Sequence, residues 1–344
     1  MRALMLTAYN QLEIRESPDP TIGPDDVLVR VEVCGICGSD VHGLDGSTGR
    51  RVPPIIMGHE AAGVVAAVGA NVGDLEPGRR VTFDSMISCG HCAPCRLGRS
   101  NLCEHRQVLG VSCTEFRRDG AFAELVAVPR AIVYPLPDGV SAAQAAMCEP
   151  LSVAVHAAGR LPIRLGDAAV VVGAGVIGLL AIQVLRAAGC GRIVAVDLDQ
   201  SRLRLALRLG ADAAVDAGRS TDAQADIRRH TGPRGAELVV DAVGTAASLA
   251  TALGALAKGG HAALIGNVQP SVALPLQAVV TGEMTLHGCC ASAGEYPACL
   301  EMLALRRIDV DSLISARAPL EEGPRWFERL RRGEPGLIKV LLEP

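Results

Sequence analysis

The chain has 344 residues, of which 49% are hydrophobic and only 2% aromatic, with a formal net charge of −4. That length exceeds one ordinary compact core and calls for two domains packed from aliphatic side chains. The weak negative charge, with no long run of one sign, excludes nucleic acid and membrane surfaces as partners, since both demand a basic footprint.

The first stretch, "MRALMLTAYNQLEIRES", reads as a strand: it has no small-residue cleavage site and carries an early acid. No uncharged apolar run approaches the ~20 residues of a membrane span, so the expected compartment is cytoplasmic. There, the 12 cysteines point to metal binding and not to a disulfide frame. In "VEVCGICGSDVHG", Cys34 and Cys37 form a C-x-x-C that by itself is open between a redox pair, half a zinc site and neither. Short β-like runs follow ("DVLVRVEV", "AAGVVAAVG", "RRVTF", "AFAELVAVP"), punctuated by turn signals such as "EPGRRV" and "PLPDGV". They predict an irregular β-rich domain to about residue 150.

Within it, "SCGHCAPCRLGRSNLC" spaces Cys89, Cys92, Cys95 and Cys103 as C-x2-C-x2-C-x7-C. Four thiolates this close suit a tetrahedral structural zinc, with an iron–sulfur cluster as the competing reading. His91 inside the loop reads as a bystander.

From "MCEPLSVAVHAAGRL" onward, strands and helices alternate, the rhythm of a doubly wound parallel sheet. "VVVGAGVIG" sets Gly173, Gly175 and Gly178 as G-x-G-x-x-G after a β-branched strand and at the start of a helix, which is the dinucleotide context. The next strand ends at Asp197, placed to accept hydrogen bonds from a ribose and to repel a 2′-phosphate, so NAD is favoured over NADP. Arg202 tempers that preference, as it can stack on adenine or reach a phosphate. Val176 and Ile177, which open the helix, and Ile265, Gly266 and Asn267, which follow the strand in "GGHAALIG", complete the expected cofactor-binding set. The tail "LEEGPRWFERLRRGEPGLIKVLLEP" predicts one helix and one strand. His156, His230, His261 and His287 lack any such context and read as structural or surface residues.

In this order, "CGICGSDVH", "GHEAAG", the cysteine loop, "EPLSVAVHA" and "GAGVIG" closely resemble the zinc-dependent medium-chain alcohol dehydrogenases, in their sorbitol (polyol) dehydrogenase-like branch. The resemblance covers nearly the whole chain. It implies an α/β protein with a GroES-like β-rich catalytic domain at residues 1–152, including the structural zinc loop 89–103, a Rossmann NAD-binding domain at 153–286, and a C-terminal segment, 287–344, that returns to the catalytic domain. It further implies two zinc ions per chain. Cys37, His59, Glu60 and Glu149 match the catalytic zinc site, with the two glutamates binding directly or through water, and Cys34 matches a position that is not a ligand. Ser39 and His42 match a relay that carries the alcohol's proton to solvent, and with Glu60 and Glu149 they make up the expected catalytic group. Asp40 matches an aspartate that orients the ligand histidine. Homodimers or homotetramers are implied, with "TLHGCCA" as a possible pairing edge.

The implied reaction is hydride transfer from a secondary alcohol of a polyhydroxy compound to NAD, giving a ketone. Threonine-type or vicinal-diol dehydrogenases of the same family are alternatives. A zinc-free quinone oxidoreductase is disfavoured by the Cys/His/Glu set, and a non-catalytic zinc/NAD-binding module remains the reading of another class. Sorbitol is not expected to be the best substrate. Sorbitol enzymes carry a tyrosine where this chain has Gly43, and an Arg-Tyr pair where it has Ala291 and Ser292. The vacated volume is expected to admit a bulkier substrate, or else Glu295 and Tyr296 supply new contacts.

Overall fold

The computed structural model describes residues 1–113 and 116–344. The chain divides into two compact units: Met1–Glu149 with Ala293–Arg306 and Val310–Pro344, and Pro150–Ser292 with Arg307–Asp309.

The first unit is built on a seven-stranded sheet. Its centre is the strand Asp26–Gly35, which pairs antiparallel with Glu60–Val68, with Leu125–Pro129 and with the C-terminal strand Lys339–Glu343. Alternating Val27, Val29, Val31 and Val33 are buried and face the core, as period-two patterning requires. The predicted run "AFAELVAVP" becomes a strand only from Leu125. Its first residues pack instead against the Met57–Gly58 turn, where Ala121 and Phe122 donate to the carbonyls of Gly58 and Met57. That turn needs its glycine. Gly58 has φ +93°, and a Cβ there would lie 2.8 Å from the Phe122 nitrogen. The tail supplies the helix Gly323–Arg331 and the strand Lys339–Glu343, which puts Lys339 in the buried sheet.

The second unit is a six-stranded parallel sheet. Its spatial order is Ala213–Asp216, Arg192–Asp197, Ala168–Val172, Ala236–Asp241, Leu256–Leu264 and Thr285–Gly288. This is the doubly wound dinucleotide-binding order, with its switch point between Ala168–Val172 and Ala236–Asp241. The boundary expected at 286/287 falls inside the edge strand Thr285–Gly288, because that strand is held in register along Leu256–Leu264. Residues Arg307–Asp309 also belong to this unit. Gln183 fixes them by donating to the Asp309 carbonyl at 3.0 Å and accepting its N–H at 2.7 Å.

Gly178 lies where the helix Val176–Ala187 crosses the glycine turn, and a Cβ there would sit 1.7 Å from the Gly173 carbonyl oxygen. Backbone cannot yield that far. Gly178→Ala is expected to destabilise this unit by about 3 kcal/mol or more, read as a lowered midpoint in thermal or urea unfolding.

Candidate active site

The segment around residue 37 builds its own geometry. Cys37 is the N-cap of the short helix Gly38–Gly43; its Sγ accepts the Ser39 N–H at 3.4 Å, and the Asp40 carboxylate returns to the Cys37 N–H at 3.2 Å. This reciprocal cap fixes Cys37 and Asp40 relative to each other. Ser39 and His42, three residues apart, share one face of the helix and are exposed. Cys34 is fully buried, and burial pushes its thiol pKa well up. Buried thiols of that kind are inert.

Asp40 is completely buried. Its Oδ1 accepts from Arg51 Nη2 at 2.8 Å and lies 3.5 Å from His59 Nδ1. Burial alone would raise the carboxyl pKa, but His59 and Arg51 hold it well below the usual range. At His59, burial opposes a charged ring, yet Asp40 and Cys37 raise the pKa well above that of an ordinary histidine. The ring therefore sits in a strongly negative surrounding.

The donor atoms of Cys37, His59 and Glu60 lie within 4.8 Å of one another. One sulfur, one nitrogen and one oxygen donor, with a fourth position open, is the donor set of a catalytic zinc, so these residues fit the ion. Glu60 is also tied elsewhere: Lys339 Nζ donates to both carboxylate oxygens, at 2.8 and 2.5 Å, and to the Ile36 carbonyl at 3.0 Å. Both partners are buried. Glu149, at the start of the helix Cys148–Gly159, is not drawn into this set of three; its Oε1 accepts from Ser85 Oγ at 3.4 Å instead. Burial raises its pKa to about 7, with His59 and Lys339 lowering it and Glu60 and Asp84 raising it.

The four loop cysteines converge as well. Cys92 Sγ lies 3.4 Å from Cys95 Sγ and 3.9 Å from Cys103 Sγ, and all four sulfurs fall within 4.8 Å of one another. Tetrahedral Zn–S bonds of ~2.3 Å put neighbouring sulfurs roughly 3.8 Å apart, so this set fits a closed zinc site. Backbone N–H groups, chiefly of Glu104 and Cys95, bring the Cys92 thiol down to about 6. His91 is exposed and bonded to the Cys89 carbonyl, outside the cluster.

In the second unit, Gly173 and Gly178 are required by packing against the protein itself. A Cβ on Gly173 would meet Val243 at 2.5 Å, whereas one on Gly175 would meet nothing within 4 Å. Gly175 is the N-cap of the helix Val176–Ala187 and leaves the first-turn N–H groups of Val176 and Ile177 without a side-chain cap. An open cradle at an uncapped helix start fits a pyrophosphate. Asp197 Oδ2 accepts from Ala174 N, while Oδ1 accepts from Leu198 and Asp199 N–H at 2.7 and 2.9 Å. The carboxylate is thus held against the glycine turn. Arg202 lies 4.0 Å from Asp199. Gly266 and Asn267 abut Val243 and Gly244, where a Cβ on Gly266 would fall 2.1 Å from the Val243 carbonyl carbon, and the Ile265 N–H donates to the Asp241 carbonyl at 3.0 Å. The nucleotide residues expected from sequence thus cluster at one end of this sheet.

Residues 23–138 match the family described as "Alcohol dehydrogenase GroES-like domain", and residues 176–305 the one described as "Zinc-binding dehydrogenase". The sorbitol dehydrogenase of Bacillus subtilis (strain 168) is 33% identical over 348 residues, covering 100% of this chain and 97% of that protein. The chain belongs to the zinc-binding dehydrogenases. Within them it falls in the polyol dehydrogenase branch. The L-idonate 5-dehydrogenase of Vitis vinifera is 36% identical, covering 98% and 93% of the two chains. Among solved structures, the alcohol dehydrogenase TADH from Thermus sp. ATN1 superposes with a TM-score of 0.93 at 35% identity, covering 100% and 99%.

Two expectations about this dehydrogenase's substrate pocket need correction. The space beside Gly43 is not vacated: a Cβ there would fall 2.5 Å from Arg51 Cγ, because the Arg51 stem fills it. Tyr296 does not offer itself at a surface either. It is fully buried, stacked on Tyr134 at 5.0 Å, and its hydroxyl has no partner among the described residues. Glu295 turns back to the Ala293 N–H. Three residues of this centre escape sequence reading: Arg51, Lys339 and Asp84. The one available signal is a lone lysine in the apolar "LIKVLL".

Asp84 is buried beside Glu149 and Tyr296, and burial, with a smaller push from Glu295, raises its pKa from 3.8 to about 6. The folded state therefore holds this proton more tightly than the unfolded chain, so Asp84 costs stability as pH rises from about 4 to 6. Asp84→Asn keeps the acceptor for the Met86 N–H. Its stability relative to the parent should grow between pH 4 and pH 7, by up to about 3 kcal/mol. Urea unfolding at the two pH values measures this.

Proposed function

We propose that this enzyme oxidises a secondary hydroxyl of a polyhydroxy compound to a ketone, with NAD accepting the hydride. The observation that carries the reading is the convergence of Cys37, His59 and Glu60, with Ser39 and His42 exposed on the short helix that Cys37 caps. Zinc, when bound by these three donors, supplies the Lewis acidity that lets an alcohol lose its proton near neutral pH.

The protein's own groups do the rest. Asp40 orients the His59 ring, and Lys339 holds the Glu60 carboxylate in place. Ser39 accepts the alcohol's proton and passes its own to His42, whose imidazole delivers it to solvent. Glu149 stands ready to bind the metal or to hold a water beside it. Glu149 adds an oxygen donor near the metal, which suits a hydroxyl-rich substrate better than a plain alkyl alcohol. The Cys89, Cys92, Cys95 and Cys103 set takes a second, structural zinc.

Gly175 and the helix start behind it bind the pyrophosphate of NAD, and Asp197 binds the adenosine ribose. A homodimer or homotetramer in the cytoplasm is consistent with the family. No helix among the described residues is long and apolar enough to cross a membrane.

The test is a screen of kcat/KM with NAD across hexitols, pentitols, inositols, aldonates, vicinal diols, threonine and simple alcohols. Polyhydroxy compounds other than sorbitol should rank first; a preference for simple primary alcohols would sink the reading. Cys37→Ser should abolish turnover and remove about one of two zincs per chain, while leaving NAD binding intact. Full zinc content with normal turnover would count against the site. Asp197→Ala should erode the preference for NAD over NADP, since it removes both the ribose acceptor and the charge that repels a 2′-phosphate. An unchanged NAD/NADP ratio of kcat/KM would assign cofactor choice to another residue.

A further inference from the structure

Arg51 has no part in the expected site, yet it is among the most deeply buried charges in the chain, with its side chain 3% exposed. Its Nη2 donates to Asp40 Oδ1 at 2.8 Å and to Ser39 Oγ at 3.4 Å, and its Nη1 donates to the Arg50 carbonyl at 3.1 Å. Gly43, on the same short helix as Ser39 and Asp40, is the only kind of residue that admits the arginine stem: a Cβ there would meet Arg51 Cγ at 2.5 Å and Cβ at 3.3 Å. A buried guanidinium costs stability unless it is well paired. Here the pairing leaves Nε without an acceptor among the described residues.

We propose that Arg51 is a positioning residue of the proton relay, and that Gly43 is present to make room for it. The proposal rests on the reading of Ser39 as the group that accepts the alcohol's proton. A serine hydroxyl has one O–H and two lone pairs. Arg51 takes one lone pair of Ser39. That leaves one lone pair for the incoming proton of the alcohol and one O–H for the outgoing proton to His42. As the O–H bond of the alcohol breaks and a new O–H bond forms on Ser39, the original Ser39 proton leaves to the imidazole, and the hydride leaves to NAD. Protons and charge balance without another reactant. The same guanidinium neutralises Asp40, so the helix that carries Cys37, Ser39 and His42 is anchored at its centre by one buried ion pair. Arg51 itself exchanges no proton; it acts through Ser39 and Asp40.

Arg51→Lys keeps a cation for Asp40, but its shorter stem and compact ammonium do not reproduce the planar Nη2 that reaches Asp40 and Ser39 together. It should fold with a Tm close to the parent, retain its zinc and lower kcat by about tenfold. KM for alcohol and NAD should stay within about twofold, and the solvent deuterium isotope effect on kcat should rise as proton transfer becomes limiting. Arg51→Met should lower kcat further. Parental kcat and isotope effect in Arg51→Lys would overturn the role in the relay.

A double-mutant cycle tests the fit without any turnover. Gly43→Ala should lower Tm by several degrees in the parent, an effect on the order of 1–3 kcal/mol, and much less in the Arg51→Ala background. Equal losses in both backgrounds would overturn the pairing of Gly43 with Arg51. If the parent oxidises no alcohol with NAD, the proposed function fails, and the cycle still decides whether Arg51 and Gly43 are coupled.

Discussion

The carboxylate of Asp40 organises the metal-binding half of this enzyme. It is fully buried and meets three different elements: the backbone N–H of Cys37, the ring of His59 and the guanidinium of Arg51. A buried carboxylate with a single weak partner would pick up a proton and lose its hold on all of them. With Arg51 and His59 beside it, the charge persists, and the helix cap at Cys37, the histidine orientation and the serine beside Arg51 become one arrangement. Geometry of this kind is what a metal site needs. A donor misplaced by about 1 Å can lose much of its effect.

Glu60 and Lys339 pose the same problem and solve it across the sheet. They are 279 residues apart in sequence and form a buried ion pair. Such pairs rarely add net stability over an apolar filling, but removing one partner leaves a naked buried charge. Burial by itself would depress the lysine pKa; Glu60 and Cys37 raise it instead. The C-terminal strand lies next to Asp26–Gly35 and so brings Lys339 to Glu60. The chain returns to the first unit and, in doing so, delivers the cation that fixes a carboxylate of the candidate metal site.

Much of this was legible in the sequence because it is local. The nucleotide turn lies between a β-branched strand and the helix that follows it within a few residues. The cysteine spacing closes on itself over one short loop, and the βαβ rhythm marks the parallel sheet. What escaped is what only tertiary structure brings together. Gly43 reads as a missing side chain, and therefore as empty space, until Arg51 is seen to fill it. Lys339 reads as one charge in a strand until Glu60 meets it. Asp84 and Tyr296 lie 212 positions apart (296 − 84) yet face the same buried region as Glu149. The boundary near residue 286 was misplaced for a related reason: the last strand of the parallel sheet is only four residues long, too short to show a period.

The glycines illustrate how a residue's surroundings separate a structural demand from a functional one. At Gly173 and Gly178 the collision partners of an added Cβ belong to the protein, so any dinucleotide fold of this shape needs glycine there whether or not it binds anything. At Gly175 no protein atom objects. An open glycine at an uncapped helix start, directly after a strand of the parallel sheet, leaves room for an anion to approach the first-turn N–H groups. Gly43 is a third kind: its space is claimed by a cation of the same chain, the arginine that pairs with Asp40. The G-x-G-x-x-G pattern alone treats its three glycines alike. Their environments divide them: two are demanded by packing, and only Gly175 leaves space open to a ligand.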